Sequence, residues 1–294
     1  MFYRRKIILA LLQLHGGRLD KIMLQKLLFL FTRRQSVPAY DFVPHRFGCF
    51  SYSANADLTA MVRRGYLSET ETSFIRTEDT DLLGTLKTRD REILQEVHSH
   101  FGTFDASALM RHTYLHFPFY AIHSEAAPNL LSTQELEMVA HARPEGRGTI
   151  LFTIGYEGIS FEAYLVRLIL NDVKVLVDVR NNPLSMKYGF SKSQLSRSCA
   201  NAGIAYIHIP EVGIRGEKRR ELKGQPDYDR LFADYRRSSL PATLEQQRQI
   251  LNLLLKHQRI ALTCFEADIC KCHRKPLAEA LQQHPGFNCT VKHI

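Results

Sequence analysis

Residues 149–158 read TILFTIGYEG, and the reading of that stretch decides how the rest of the chain is parsed. It is apolar almost throughout, carries no charge before Glu157, and runs into glycines at 155 and 158. A strand that is apolar on both faces belongs inside a parallel sheet covered by helices. The same pattern recurs outward from it, at VKVLVDVR (173–180), IAYIHIP (204–210), RIALTCFE (259–266) and NCTVKHI (288–294). Helical patterns lie between these runs, at SFEAYLVRLIL, SKSQLSRSCANAG, two segments covering roughly 226–257, and KPLAEALQQH. Strands alternating with helices predict an α/β, Rossmann-like domain with a mainly parallel sheet over 148–294.

Upstream, RPEGRGT (143–149) reads as a linker. Residues 86–147 read as a helical connector region, with Ser132 or Thr133 capping a helix that has Glu135 in its first turn. Residues 1–85 show helical spacing at Ile7, Ile8, Leu11 and Leu12, then a second helix capped by Asp20, then a third carrying Leu58, Met61 and Val62. SETETSFIRT follows as a strand pair. Three short helices and a β-ribbon predict a mainly helical, winged-helix-like N-terminal domain. Arg33, Arg34, Arg46, Arg63 and Arg64 are its candidate nucleic-acid contacts. A small helical module for protein contacts would show the same helices.

The totals narrow the classes. With 294 residues and 45% apolar content, the chain has material for two cores and is no disordered polymer. No run approaches the ~18 apolar residues of a membrane span. The N-terminal MFYRRKIILALLQLHGG is interrupted by Gln13 and His15 and is read as an amphipathic helix of a cytoplasmic protein, not a signal peptide. Six cysteines in a chain of this length are expected to be reduced thiols. The net charge of +9 is uneven. Residues 1–148 carry 18 Lys/Arg against 16 Asp/Glu, and residues 149–294 carry 21 against 14. The second half is therefore expected to attract an anionic partner, with nucleic acid or nucleotide first.

In an open parallel sheet, ligands bind beyond the carboxyl ends of the strands. Those ends carry Tyr156 and Glu157, then Asp178 and Arg180 with Ser185 and Lys187 after them, then His208, then Cys264 and Glu266. Asp178 and Arg180 flank Val179 and so point to one side, either as a structural pair or as a base and a phosphate clamp. The stretch CFEADICKCHR (264–274) adds Cys272, His273 and Arg274. As a zinc knuckle its C-x5-C-x-C-H spacing is unusual, so no metal is expected. As a phosphatase loop it fails, because nine residues separate Cys264 from Arg274. A low-pKa thiolate and a buried, inert cysteine both remain open. The loop 213–228 supplies Arg215, Lys218, Arg219, Arg220 and Lys223 as further phosphate contacts.

The blocks TIGYEG, LVDVRNNPLS, GFSKSQL, GIAYIHIPEVG, CFEADICKCHR and VKHI occur in this order and resemble the domain-of-unknown-function family numbered 488. The resemblance implies an α/β fold with a polar site built from the block residues. It does not imply a reaction. Two departures stand out: Met186 sits where the family usually has arginine, and Ile269 where proline is frequent.

Together these readings predict an enzyme acting on a nucleotide or base in nucleic acid, DNA before RNA, in defence or repair. Asp178, Glu157 or Glu266 would serve as general base or electrostatic stabiliser, by N-glycosidic or phosphodiester hydrolysis. Cys272 and His273 would assist, while Tyr156, Arg180, Ser185, Lys187, His208 and Arg274 hold the ligand. No cofactor is called for, and a homodimer is compatible. The rivals are a non-enzymatic DNA-binding regulator sensing a nucleotide or redox signal, and a thiol-dependent small-molecule enzyme.

Overall fold

The computed structural model describes residues 1–216 and 222–294; Lys218, Arg219 and Arg220 lie outside the described residues. The chain divides into two compact units, Met1–Arg143 and Pro144–Ile294.

The N-terminal unit runs α1 (Tyr3–Leu14), β1 (Arg18–Asp20), α2 (Lys21–Thr32), β2 (Val43–His45), β3 (Gly48–Phe50), α3 (Tyr52–Arg63), β4 (Leu67–Glu69) and β5 (Ser73–Arg76). It continues with α4 (Thr88–Phe101), α5 (Ala106–His116), α6 (Ala127–Leu130) and α7 (Thr133–His141). The caps follow local chemistry. Asp20 accepts from the Ile22 N–H, Ser51 from the Ala54 N–H, and Ser132 with Glu135 forms a capping box. β1 and β4 each pair antiparallel with β5, giving the order β1-β5-β4. β1 has three residues, too few to show a period in the sequence, and exists because β5 offers it an edge. The helices after residue 85 share the core of the first 85 residues. Ile93, Leu94 and Val97 of α4 are buried with Ile7, Leu11 and Leu28, because the apolar stripe of α4 has α1 and α2 to pack against.

The C-terminal unit contains β6 (Ile150–Gly155), α8 (Phe161–Leu170), β7 (Val175–Asp178), α9 (Lys192–Asn201), β8 (Ala205–His208) and α10 (Gln225–Asp234). After a π turn at Tyr235–Ser239 come α11 (Leu244–His257), β9 (Arg259–Cys264), α12 (Arg274–Gln282) and β10 (Thr290–His293). The five strands form one parallel sheet in the order β10-β6-β9-β7-β8. Val175, Val177, Ile260 and Leu262 face α10, α11 and α12 in one apolar cluster. The opposite face carries α8, where the Tyr164 hydroxyl donates to Thr263 Oγ1 at 2.8 Å. Chain order thus sends the segment after β6 to one face and the segment after β9 to the other. These strands are neighbours, so their carboxyl ends diverge and open a crevice. Among the described residues no helix is long and apolar enough to cross a membrane.

Candidate functional site

The carboxyl edge of this sheet gathers the ionisable groups in two hydrogen-bonded clusters, one on each face. The alternation of β7 dictates the division. Val177 and Val179 turn toward α10–α12, and Asp178 and Arg180 turn the other way.

On the α8 face, Asp178 is fully buried and Arg180 nearly so. Arg180 grips the carboxylate as a fork, Nε to Oδ1 at 2.8 Å and Nη2 to Oδ2 at 2.5 Å, while its backbone N–H also donates to Oδ1. The Tyr206 hydroxyl donates to Oδ2 at 2.5 Å. Arg180 Nη1 donates to the Tyr156 hydroxyl and the Phe190 carbonyl, both at 2.8 Å. Tyr156 stacks on Phe190 with ring centroids 4.1 Å apart. Burial works against the Arg180 charge, but the Asp178 carboxylate more than offsets it and holds the guanidinium above its ordinary range. Burial and the same carboxylate push the Tyr206 phenol up. Each Asp178 oxygen takes two donors and none of the residue is exposed, an arrangement that braces the strand end; the sequence reading leaves a structural pair and a base both open.

On the α12 face, Cys264, Cys272, His273 and Arg274 are all buried. His273 Nε2 donates to the Val179 carbonyl at 3.0 Å, and Nδ1 lies 3.7 Å from Cys264 Sγ. Arg274 Nε donates to Cys272 Sγ at 3.0 Å, and Nη2 to the Glu266 carbonyl. Burial, followed by the neighbouring Cys264, pushes the Cys272 thiol well up, the opposite of what a thiolate nucleophile needs. Gly155 makes this closure feasible. A Cβ there would lie 1.9 Å from the Glu266 carbonyl oxygen and 2.9 Å from Arg274 Nη2.

Between the two clusters, at the mouth of the β6–β9 crevice, the side chains reach solvent. Glu157 is exposed, and its Oε2 accepts from the Ala267 N–H at 3.0 Å. Lys187 Nζ donates to the Tyr156 carbonyl at 2.5 Å and sits over the Phe190 ring. Desolvation holds the Lys187 amine below its ordinary range, and Glu157 nearby partly restores it. Glu266 is half-buried. Ser185 Oγ accepts from the Lys187 N–H at 3.1 Å. His208 Nε2 donates to the Arg180 carbonyl at 2.9 Å, and Lys192 Nζ stands 3.3 Å from its Nδ1. Beside the ends of β7 and β8 lies a cavity of about 510 Å³, lined by Asn181, Glu211, Arg215, Tyr235, Ser239 and Thr243 among others. The sequence reading assigned only Arg215 of these. The cavity owes its wall to the π turn, a local insertion that no period in the sequence announces and that is frequent at functional sites. Lys223 is exposed on the far side of the undescribed segment.

In the N-terminal unit, Arg33, Arg46, Arg63 and Arg64 are exposed. Arg34 is paired with Glu96 at 3.7 Å and lies over the Phe101 ring. Asn55 and Thr59, which the sequence reading passed over, share the exposed face of α3 with Arg63 at intervals of four.

Residues 160–281 match the family described as "Domain of unknown function DUF488", a span from the start of α8 to the end of α12. No curated protein matches the chain.

Proposed function

We propose that this chain is a DNA-directed hydrolase whose C-terminal unit attacks an N-glycosidic bond at the mouth of the β6–β9 crevice. The observation that carries the reading is Glu157. It is an exposed carboxylate at the topological switch point, fixed by the Ala267 N–H and flanked by Lys187. A carboxylate so placed can activate water against a sugar carbon or stabilise the positive charge that develops there. Lys187 then meets the phosphate beside that sugar. Asp178 and Arg180 act one step back, by fixing Tyr156 and hence the chain that presents Glu157. The cavity of about 510 Å³ next to this edge is of the size that holds a small ligand such as a base. Among the described residues, potential metal ligands gather only as Cys264, Cys272 and His273, which are sulfur and nitrogen donors. Oxygen-rich sites for Mg²⁺ are built otherwise, so we favour glycosidic over phosphodiester cleavage.

The N-terminal unit supplies the grip. Its order is α1, β1, α2, β2, β3, α3, β4, β5, with the sheet β1-β5-β4; we read it as a winged helix-turn-helix with the β2–β3 hairpin inserted before α3, a reading that gives α3 the place of the recognition helix. Asn55 and Arg63 are the residue types that read adenine and guanine edges in the major groove. Arg46 and Arg64 are suited to phosphates.

The test is release of free base from DNA carrying normal, methylated and damaged bases, together with binding by the same preparation. Glu157→Gln is expected to lower product formation about 10²–10⁴-fold with binding retained. Arg64→Ala is expected to weaken binding evenly across sequences and to reduce the salt slope by about one. Binding without base release from any of these DNAs would make the chain a regulator, and full activity in Glu157→Gln would remove Glu157 from the chemistry.

A further inference from the structure

The geometry points to a site for one soft d¹⁰ metal ion, made by Cys264 Sγ, Cys272 Sγ and His273 Nδ1 on the α12 face of the sheet. It is independent of the reading of Glu157, which lies at the mouth.

The two sulfurs and a His273 ring nitrogen all lie within 4.8 Å of one another. Zn–S bonds of about 2.3 Å place ligand atoms at tetrahedral edges of about 3.8 Å, so a small inward movement would close the set. The three ligands come from two structural pieces. Cys264 ends β9, and Cys272 and His273 lead into α12 after a tight turn at Ile269–Lys271. One His273 nitrogen is already engaged. A carbonyl can only accept, so Nε2 donates to Val179, and in a neutral ring Nδ1, 3.7 Å from Cys264 Sγ, is the nitrogen open to an ion. A ring held by a carbonyl at one nitrogen while the other faces the ion is the usual outer support of a metal-bound histidine.

Charge supplies a second argument. Arg274 is 1% exposed, and among the described residues its side chain bonds to Cys272 Sγ and the Glu266 carbonyl, neither of them a carboxylate. A buried guanidinium calls for negative charge. Metal binding turns both thiols into thiolates, releasing two protons, and Arg274 Nε–H already bonds one of the sulfurs. Two thiolates and one guanidinium leave a single negative charge. Cu⁺ brings the group to neutrality. Zn²⁺ leaves one positive charge and a fourth position for an anionic or water ligand. Thiolate and imidazole donors suit both ions.

The full-length chain, freed of metal by chelation and kept under a phosphine reductant, is titrated separately with Zn²⁺ and with Cu⁺ against a chromophoric competitor. One equivalent of at least one ion should bind at least 100-fold more tightly than to Cys264→Ser, and Cys270→Ser should bind like the wild type. Should Cys264→Ser fold poorly, alkylation of the wild-type chain gives a second readout. The bound ion should protect two thiols, mapped by peptide mass spectrometry to Cys264 and Cys272. Binding unchanged in Cys264→Ser, binding of neither ion above the competitor, or protection of other cysteines would each overturn the proposal.

Discussion

Two arginines at the carboxyl edge of the C-terminal sheet are buried to nearly the same degree, Arg180 at 5% and Arg274 at 1% exposure, and they are treated in opposite ways. Arg180 meets a carboxylate through two parallel bonds and is further engaged by Tyr156 and Phe190. Arg274 meets a sulfur and a carbonyl. The first arrangement is closed: each charge has its partner, and the pair stiffens the loop that follows β7. Among the described residues, the second leaves a positive charge beside two thiols and an imidazole. The difference teaches that one face of this edge is built for rigidity and the other retains a charge imbalance that an ion or a thiolate can satisfy.

The largest effect that would test the contrast is on stability. Asp178→Ala strands the Arg180 guanidinium in the interior, and removal of one partner of a buried pair typically costs about 3–5 kcal/mol. Arg274→Met removes a buried charge without stranding a carboxylate, so its cost should stay near that of a single hydrogen bond, about 1 kcal/mol. Urea unfolding of the two variants measures the gap. If Arg274→Met costs as much as Asp178→Ala in metal-free protein, Arg274 already has a counter-charge, the Cys272 thiolate being the nearest candidate, and the contrast fails.

A smaller effect sharpens it. Tyr206→Phe removes the hydroxyl that donates to Asp178 Oδ2 and leaves the fork intact. A hydrogen bond to a charged group contributes about 1.5–3 kcal/mol, so the loss should fall below that of Asp178→Ala and above that of Arg274→Met. A cost indistinguishable from zero would mean that the fork alone satisfies the carboxylate.

How much of this edge the sequence disclosed follows from what each feature depends on. Val175, Val177, Ile260 and Leu262 announce a doubly covered sheet because burial on both faces leaves an unbroken apolar run. Asp178 and Arg180 on one side of β7 follow from alternation alone. Tyr206 could not be read as the carboxylate's partner, because that requires knowing that β8 lies beside β7 with Leu176 opposite Tyr206. The thiol cluster was hidden for a related reason. Its ligands do not have the spacing of a zinc knuckle, and they meet because Cys264 ends a strand whose register with Val179 is set by the sheet, while His273 reaches the Val179 carbonyl. The wall formed by the π turn at Tyr235–Ser239 has no periodic signature, and β1 is too short to have one.

The smallest expected effect concerns Lys187, at the mouth between the two faces. Desolvation lowers its folded-state pKa, whereas the unfolded chain keeps the ordinary lysine value, so between the two the unfolded state binds more protons. Stability should therefore rise slightly as pH rises through that alkaline window, and the slope should vanish in Lys187→Met. Glu157 opposes the shift, so Glu157→Gln should move the Lys187 titration to lower pH still, which nitrogen NMR of the amine can follow directly. A titration indifferent to Glu157→Gln would mean that carboxylate and ammonium do not sense each other at the mouth, and the paired arrangement on which the hydrolytic reading rests would be lost even with both buried clusters intact.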